Sequence, residues 1–126
     1  MALRKETTSI IIHGWPDKTA TVADVIKVHR MVGMLRCGFH YVIEPDGTVH
    51  LTRRRDAVGN HTRDADTTSI AICLVGLSTA NTGDATSEQA AQLGWLIEQI
   101  KAVYPESAVR YSANLKDTFE PPQEDA

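Results

Sequence analysis

The stretch that decides the fold runs from Cys37 to Gly76 and reads CGFHYVIEPDGTVHLTRRRDAVGNHTRDADTTSIAICLVG. Two short segments, Phe39 to Glu44 and Thr48 to Thr52, flank Pro45-Asp46-Gly47. Proline fixes the first turn angle and glycine tolerates positive φ, so the pattern predicts a β-hairpin. Alternation along the first arm places Phe39, Tyr41 and Ile43 on one face and His40 and Val42 on the other. Arg53 to Asp66 is polar and aperiodic, which predicts a long loop, and a loop of that length inside one domain is usually functional. Ser69 to Val75 is almost wholly apolar, the pattern of a central strand covered on both faces.

Working outward, Ser9 to His13 is a second β-branched run and predicts another buried strand, ended by Gly14, Pro16 and Asp17. Thr21 to Val32 reads as a helix. Thr21 with Asp24 supplies a capping signal, Val22, Val25, Ile26 and His29 or Val32 share a face, and Gly33 closes it. Thr86 to Tyr104 is the longest helical pattern, with Thr86 and Gln89 as a capping box, Leu93, Leu96, Ile97 and Ile100 as its buried stripe, and Pro105 as its stop. Ala108 to Tyr111 fits a short last strand. The pattern predicts an α/β fold: a single domain over residues 9–119, built on a mixed β-sheet of about five strands flanked by helices. Residues 1–8 read as a flexible N-terminus and residues 120–126 as an acidic tail.

Composition excludes several classes. With 126 residues there is room for one core. A formal charge of -3 gives no electrostatic footprint for a nucleic acid duplex or an anionic membrane. No apolar run approaches the roughly 18 residues of a membrane span. The basic residues near the start have no apolar stretch behind them, so the reading is a cytoplasmic protein without a signal peptide. Cys37 and Cys73 are expected as free, buried thiols.

The ordered set of motifs resembles the phage-type N-acetylmuramoyl-L-alanine amidases, within the peptidoglycan recognition protein superfamily. His13 falls at the family's first-strand zinc histidine and His29 at a histidine near the end of the following helix. Gly38-Phe39-His40-Tyr41-Val42-Ile43, Asp46-Gly47 and Arg53 follow the hairpin pattern. Val58-Gly59-Asn60-His61 matches a valine, glycine, small residue and histidine, and Ser69-Ile70 with Cys73-Leu74-Val75-Gly76 matches the next strand. The resemblance implies a zinc ion held by the first-strand histidine, a second histidine after the last helix, and a cysteine or aspartate near a lysine. Three protein ligands leave an open position for a water whose pKa falls to about 7. A hairpin tyrosine and the lysine assist.

The departures lie in that same machinery. Tyr111 or Ser112 stands for the second histidine, Thr118 for the cysteine and Phe39 for the tyrosine, while Lys116 is retained. No histidine or cysteine follows Cys73. The sequence therefore predicts no catalytic residues and no cofactor. The expected ligand contacts are His13, Trp15, Phe39, Arg53, Asn60, His61, Tyr111 and Lys116. Arg53 is read as a groove guanidinium able to pair with carboxylate or phosphate. His61 reads either as a ligand contact or as a solvated loop histidine. His29 is read as structural, its cation meeting the helix dipole, and His50 as exposed.

The reading is a catalytically inactive amidase-fold protein, of phage type, that binds and sequesters a small molecule in the former substrate groove. The ligand is a muropeptide or an anionic, nucleotide-like signal. One alternative is an active amidase in which His13 and Asp117, with Glu120 or His61, hold zinc. The other is a protein-binding inhibitor module, and a protein partner or homo-oligomer belongs to that class.

Overall fold

Each β-branched or apolar run becomes a strand, and the two capped patterns become the helices. The computed structural model describes residues 2–62, 64–77 and 82–112. In chain order the elements are β1 (Ser9–Trp15), α1 (Val22–Met31), β2 (Tyr41–Ile43), β3 (Val49–Leu51), β4 (Ser69–Val75), α2 (Ser87–Val103) and β5 (Ala108–Tyr111), with single 3-10 turns at Asp66–Thr68 and Thr82–Asp84. Thr21 and Thr86 both close full capping boxes, with Asp24 and Gln89 as the reciprocal partners.

The strands form one mixed sheet in the order β3-β2-β4-β1-β5. β1 lies parallel to β4 and β5, β2 lies parallel to β4, and only the β2–β3 hairpin is antiparallel. From β1 the chain crosses to β2 on one side, and from β4 it crosses to β5 on the other. Right-handed crossovers running in opposite directions place their helices on opposite faces of the sheet. The core divides accordingly. Ile10, Ile12, Ile70, Ile72 and Leu74 pack against Leu93, Leu96 and Ile100 of α2. Trp15, Val42, Ala71, Cys73 and Val75 form the second cluster with Val25 of α1 and with Cys37 and Phe39. The helices touch these clusters through side chains spaced one turn apart, and each fully buried isoleucine contributes about 2 kcal/mol.

Phe39 departs from the expected alternation. It joins the α1-side cluster with Val42, whereas Tyr41 and Ile43 pack on the α2 side. Regular strand geometry begins only at Tyr41, and residues 38–40 bend before it, so period-two counting does not reach back to Phe39. Residues 2–8, read from composition as flexible, run along the 56–58 segment. Arg4 N–H donates to the Asp56 carbonyl (2.8 Å) and Val58 N–H to the Ala2 carbonyl (2.8 Å). Arg4 Nη1 adds a bond to the Ala57 carbonyl (2.8 Å).

Gln89 ties α2 to the sheet. Its buried side-chain amide donates to the Val75 carbonyl (2.8 Å) and the Ile43 carbonyl (3.2 Å), both at strand ends, while its oxygen accepts from Thr86 N–H (3.1 Å). Gln89→Ala strands two buried carbonyls and the half-buried Thr86 N–H and is expected to lower the unfolding free energy by about 2–4 kcal/mol. Gln89→Glu should cost at least as much, because a carboxylate cannot donate to either carbonyl; urea titration measures both.

Candidate functional site

The long polar loop is buried in part, at Arg53, Ala57, Asn60, His61 and Asp66. Glycine 38 and glycine 59 let two backbone segments meet without intervening side chains. A Cβ on Gly38 would stand 2.0 Å from the Asn60 carbonyl oxygen, and one on Gly59 would stand 2.6 Å from the His61 ring. Asn60 N–H donates to the Gly38 carbonyl (3.1 Å) across this contact. Arg53 bridges the same two segments: Nη1 donates to the Cys37 carbonyl (2.8 Å) and Nε to the Val58 carbonyl (3.0 Å). The guanidinium expected to face a ligand is instead a buried brace, 6% exposed.

This docking delivers His61 onto the sheet. His61 Nδ1 lies 3.0 Å from Nε2 of His13, which β1 holds on the α1 face beside Cys73 of β4. His61 Nε2 faces Ser69 Oγ (3.2 Å) and Asp66 Oδ1 (3.3 Å). Phe39 and His61 both pack on the His13 ring, with centroids at 5.2 and 5.0 Å. Trp15 stands edge-on to Phe39 and His29. His13, Trp15, Phe39, Arg53, Asn60 and His61 are therefore brought together, and all are buried. His13 Nδ1 and Asn60 Nδ2 are buried atoms without a hydrogen-bond partner.

Tyr111 is not part of this group. Val109 packs in the α2-side cluster, so Tyr111, two residues on, shares that face, and it is 55% exposed. Ser112 continues the β5 ladder past the Ile12–Tyr111 pair, with its N–H donating to the Ile12 carbonyl (2.9 Å). The register sets Ser112 beside His13 on the same face. Of the two positions open in the sequence for the second histidine, 112 is the one that shares a face with His13. Lys116, Asp117, Thr118 and Glu120 lie outside the described residues.

Four of the five histidines are buried, and burial keeps them neutral. Desolvation lowers His13 to about 3, with the nearby His29 adding to the effect. Burial, helped by Arg53, lowers His29 to about 4, and burial lowers His40 to about 4. His61 falls well below the ordinary value for the same first reason, with His13 next. His29 is thus not the cation expected at a helix end; its Nδ1 accepts from Gly38 N–H (2.9 Å). His40 accepts from Ala71 N–H at Nδ1 (3.0 Å) and donates to the Ala57 carbonyl from Nε2 (2.7 Å). Neither ring is turned toward solvent. His50, expected to be exposed, is 2.6 Å from Glu44. Sequence reading missed Asp66, whose only signal is its position just before β4.

A zinc ion of the kind the resemblance implies does not fit the donors in the described residues. His13 Nδ1 offers one nitrogen, Ser112 offers a hydroxyl in place of the second imidazole, and no group of three histidine, cysteine, aspartate or glutamate side chains converges there.

The family model described as N-acetylmuramoyl-L-alanine amidase matches residues 3–114. The chain belongs to the N-acetylmuramoyl-L-alanine amidase family. The endolysin of Enterobacteria phage K11 is 30% identical to this amidase-family chain over 112 residues, covering 84% of this chain and 74% of that protein. Among solved structures, the endolysin amidase LysCS from Clostridium intestinale superposes with a TM-score of 0.76 at 23% identity, over 94% of this chain and 76% of that one. The ectodomain complex of peptidoglycan recognition proteins LCa and LCx, solved with tracheal cytotoxin bound, gives a TM-score of 0.70 at 19% identity, over 82% and 68%. The phage-type amidase and peptidoglycan recognition fold is thus the fold of this chain.

Two predictions come from the site. A buried imidazole binds its proton less readily folded than unfolded, so between pH 6.5 and about 4 the unfolded chain holds more protons. Stability is then full above pH 6.5 and falls as pH drops through that window, by about 1.4 kcal/mol per pH unit for each such histidine. Urea unfolding across this pH range reads the slope. Arg53→Ala leaves two carbonyls unmet and should cost about 2–4 kcal/mol. Arg53→Lys should not restore it, because one ammonium cannot span both acceptors.

Proposed function

We propose that this amidase-family chain binds a peptidoglycan fragment of the muropeptide class without hydrolysing it. The observation that supports the reading is Ser112, which stands in register beside His13 and is one of the two positions that the resemblance offers for the second metal-binding imidazole. Among the described residues, one imidazole and one hydroxyl are a poor set for a metal that must acidify water. Phe39, at the family tyrosine's place and packed on His13, brings no hydroxyl for proton transfer. The scaffold around these losses is intact, which supports a binding role, as does the ligand named for the LCa–LCx complex.

The anionic, nucleotide-like ligand loses its main support, because Arg53 is engaged with backbone carbonyls. Lys116 remains a proposed rim cation. Likeness to a phage endolysin supports a phage setting, and sequestration in the cytoplasm is the role proposed there.

A second reading is an active amidase with an altered metal set. It is favoured by His13 itself, whose Nε2 is held by His61 while Nδ1 has no partner. Metal-bound imidazoles are oriented in this way through their other nitrogen.

Calorimetric titration with muramyl dipeptide, mass spectrometry of the mixture and zinc analysis after dialysis separate the readings. Saturable binding with unchanged mass and little zinc is expected. One zinc per chain with amide cleavage of a longer muropeptide would establish the second reading, and absence of binding would overturn the first.

A further inference from the structure

We propose that Asp66, His61 and His13 form a relay that locks the tautomer of His13 and presents its Nδ1 lone pair as the acceptor of the site, so that the group it takes is an N–H donor such as a muropeptide amide. The proposal deepens the binding reading given above and rests on it for the ligand.

The protons can be assigned from the partners. Asp66 Oδ1 accepts the backbone N–H groups of His61 (2.9 Å) and Thr62 (2.8 Å), which fixes the carboxylate under the loop. The Ser69 hydroxyl donates to the Ala65 carbonyl (2.6 Å), so toward His61 its oxygen offers only lone pairs. His61 Nε2 thus faces two acceptors, Ser69 Oγ and Asp66 Oδ1, and must carry the hydrogen. A neutral ring then has a bare Nδ1. That nitrogen accepts from His13 Nε2 at 3.0 Å, with the Thr62 hydroxyl oxygen 3.1 Å away. The one proton of neutral His13 is accordingly on Nε2, and its Nδ1 is bare.

That bare nitrogen is buried and has no hydrogen-bond partner. An unmet buried acceptor costs about 1–3 kcal/mol, so a donor that reaches this nitrogen gains by satisfying it. Occupying it breaks no existing hydrogen bond of the ring, although the aromatic packing around it must open. A lone pair repels an anion, and the buried Arg53 guanidinium already donates to the Cys37 and Val58 carbonyls. A neutral hydrogen-bond donor is the group that fits, and the amide N–H of a muropeptide is the one proposed.

Long-range nitrogen–proton correlation spectra of the full chain, labelled with 15N-histidine, test the relay directly. In the free wild-type protein His13 should show a protonated Nε2 and a pyridine-like Nδ1; a proton on Nδ1 would overturn the relay. His61→Phe removes the acceptor and should give His13 a mixture of tautomers, whereas His61→Asn, with an oxygen near the former Nδ1 position, should preserve the wild-type pattern. An unchanged pattern in a folded His61→Phe would contradict the relay, and if that variant does not fold the wild-type spectrum still decides. Titration with muramyl dipeptide should then move the His13 Nδ1 resonance. Binding without that shift overturns the donor assignment and leaves the binding reading intact. No binding removes the ligand half together with that reading, while the tautomer half stands on the free protein.

Discussion

Arg53 holds the two halves of the site together. Its guanidinium joins the carbonyl of Cys37, ahead of the hairpin, to that of Val58, in the long loop. Between those points the backbones at Gly38 and Gly59 approach so closely that a single Cβ would collide. A planar, always-charged fork can satisfy two fixed carbonyls at once, which a flexible ammonium cannot. Everything nearer the chemistry depends on this junction, because it is what brings His61 from a loop without regular structure to within 3.0 Å of a strand histidine.

The result is an unusually polar interior on one side of the sheet. The α2 side is packed with isoleucine and leucine. The α1 side mixes Trp15, Phe39 and four imidazoles, whose burial suppresses protonation. Neutral imidazoles are tolerable inside because each ring nitrogen can be a donor or an acceptor as its neighbours require. His29 and His40 use this to satisfy backbone N–H and carbonyl groups. His13 gives one nitrogen to His61, and it stands in register beside Ser112.

The fold was legible in the sequence because its signals are local and agree with one another. The apolar run at residues 69–75, the two capping boxes and the Pro45-Asp46-Gly47 turn each encode their element within a few residues. Which candidate residues become neighbours was legible in part, and their geometry was not. His13, Phe39, Asn60 and His61 do converge, yet nothing local says that a polar loop is buried or that Arg53 faces inward. Those facts depend on a glycine-to-glycine contact between residues about twenty positions apart. Tyr111 misled for a simpler reason, because strand register decides which of two neighbouring residues shares a face with His13, and register is a property of the sheet.

The central claim is that residues 58–62, a loop by composition, are as fixed as the strands they lie on. Backbone amide hydrogen exchange at Asn60, His61 and Thr62 tests it most directly, since their N–H groups are donated to the Gly38 carbonyl and to Asp66. Protection comparable to that of the β4 amides is predicted. Exchange at the rate of an open loop, with β4 still protected, would contradict the docked loop and the site built upon it.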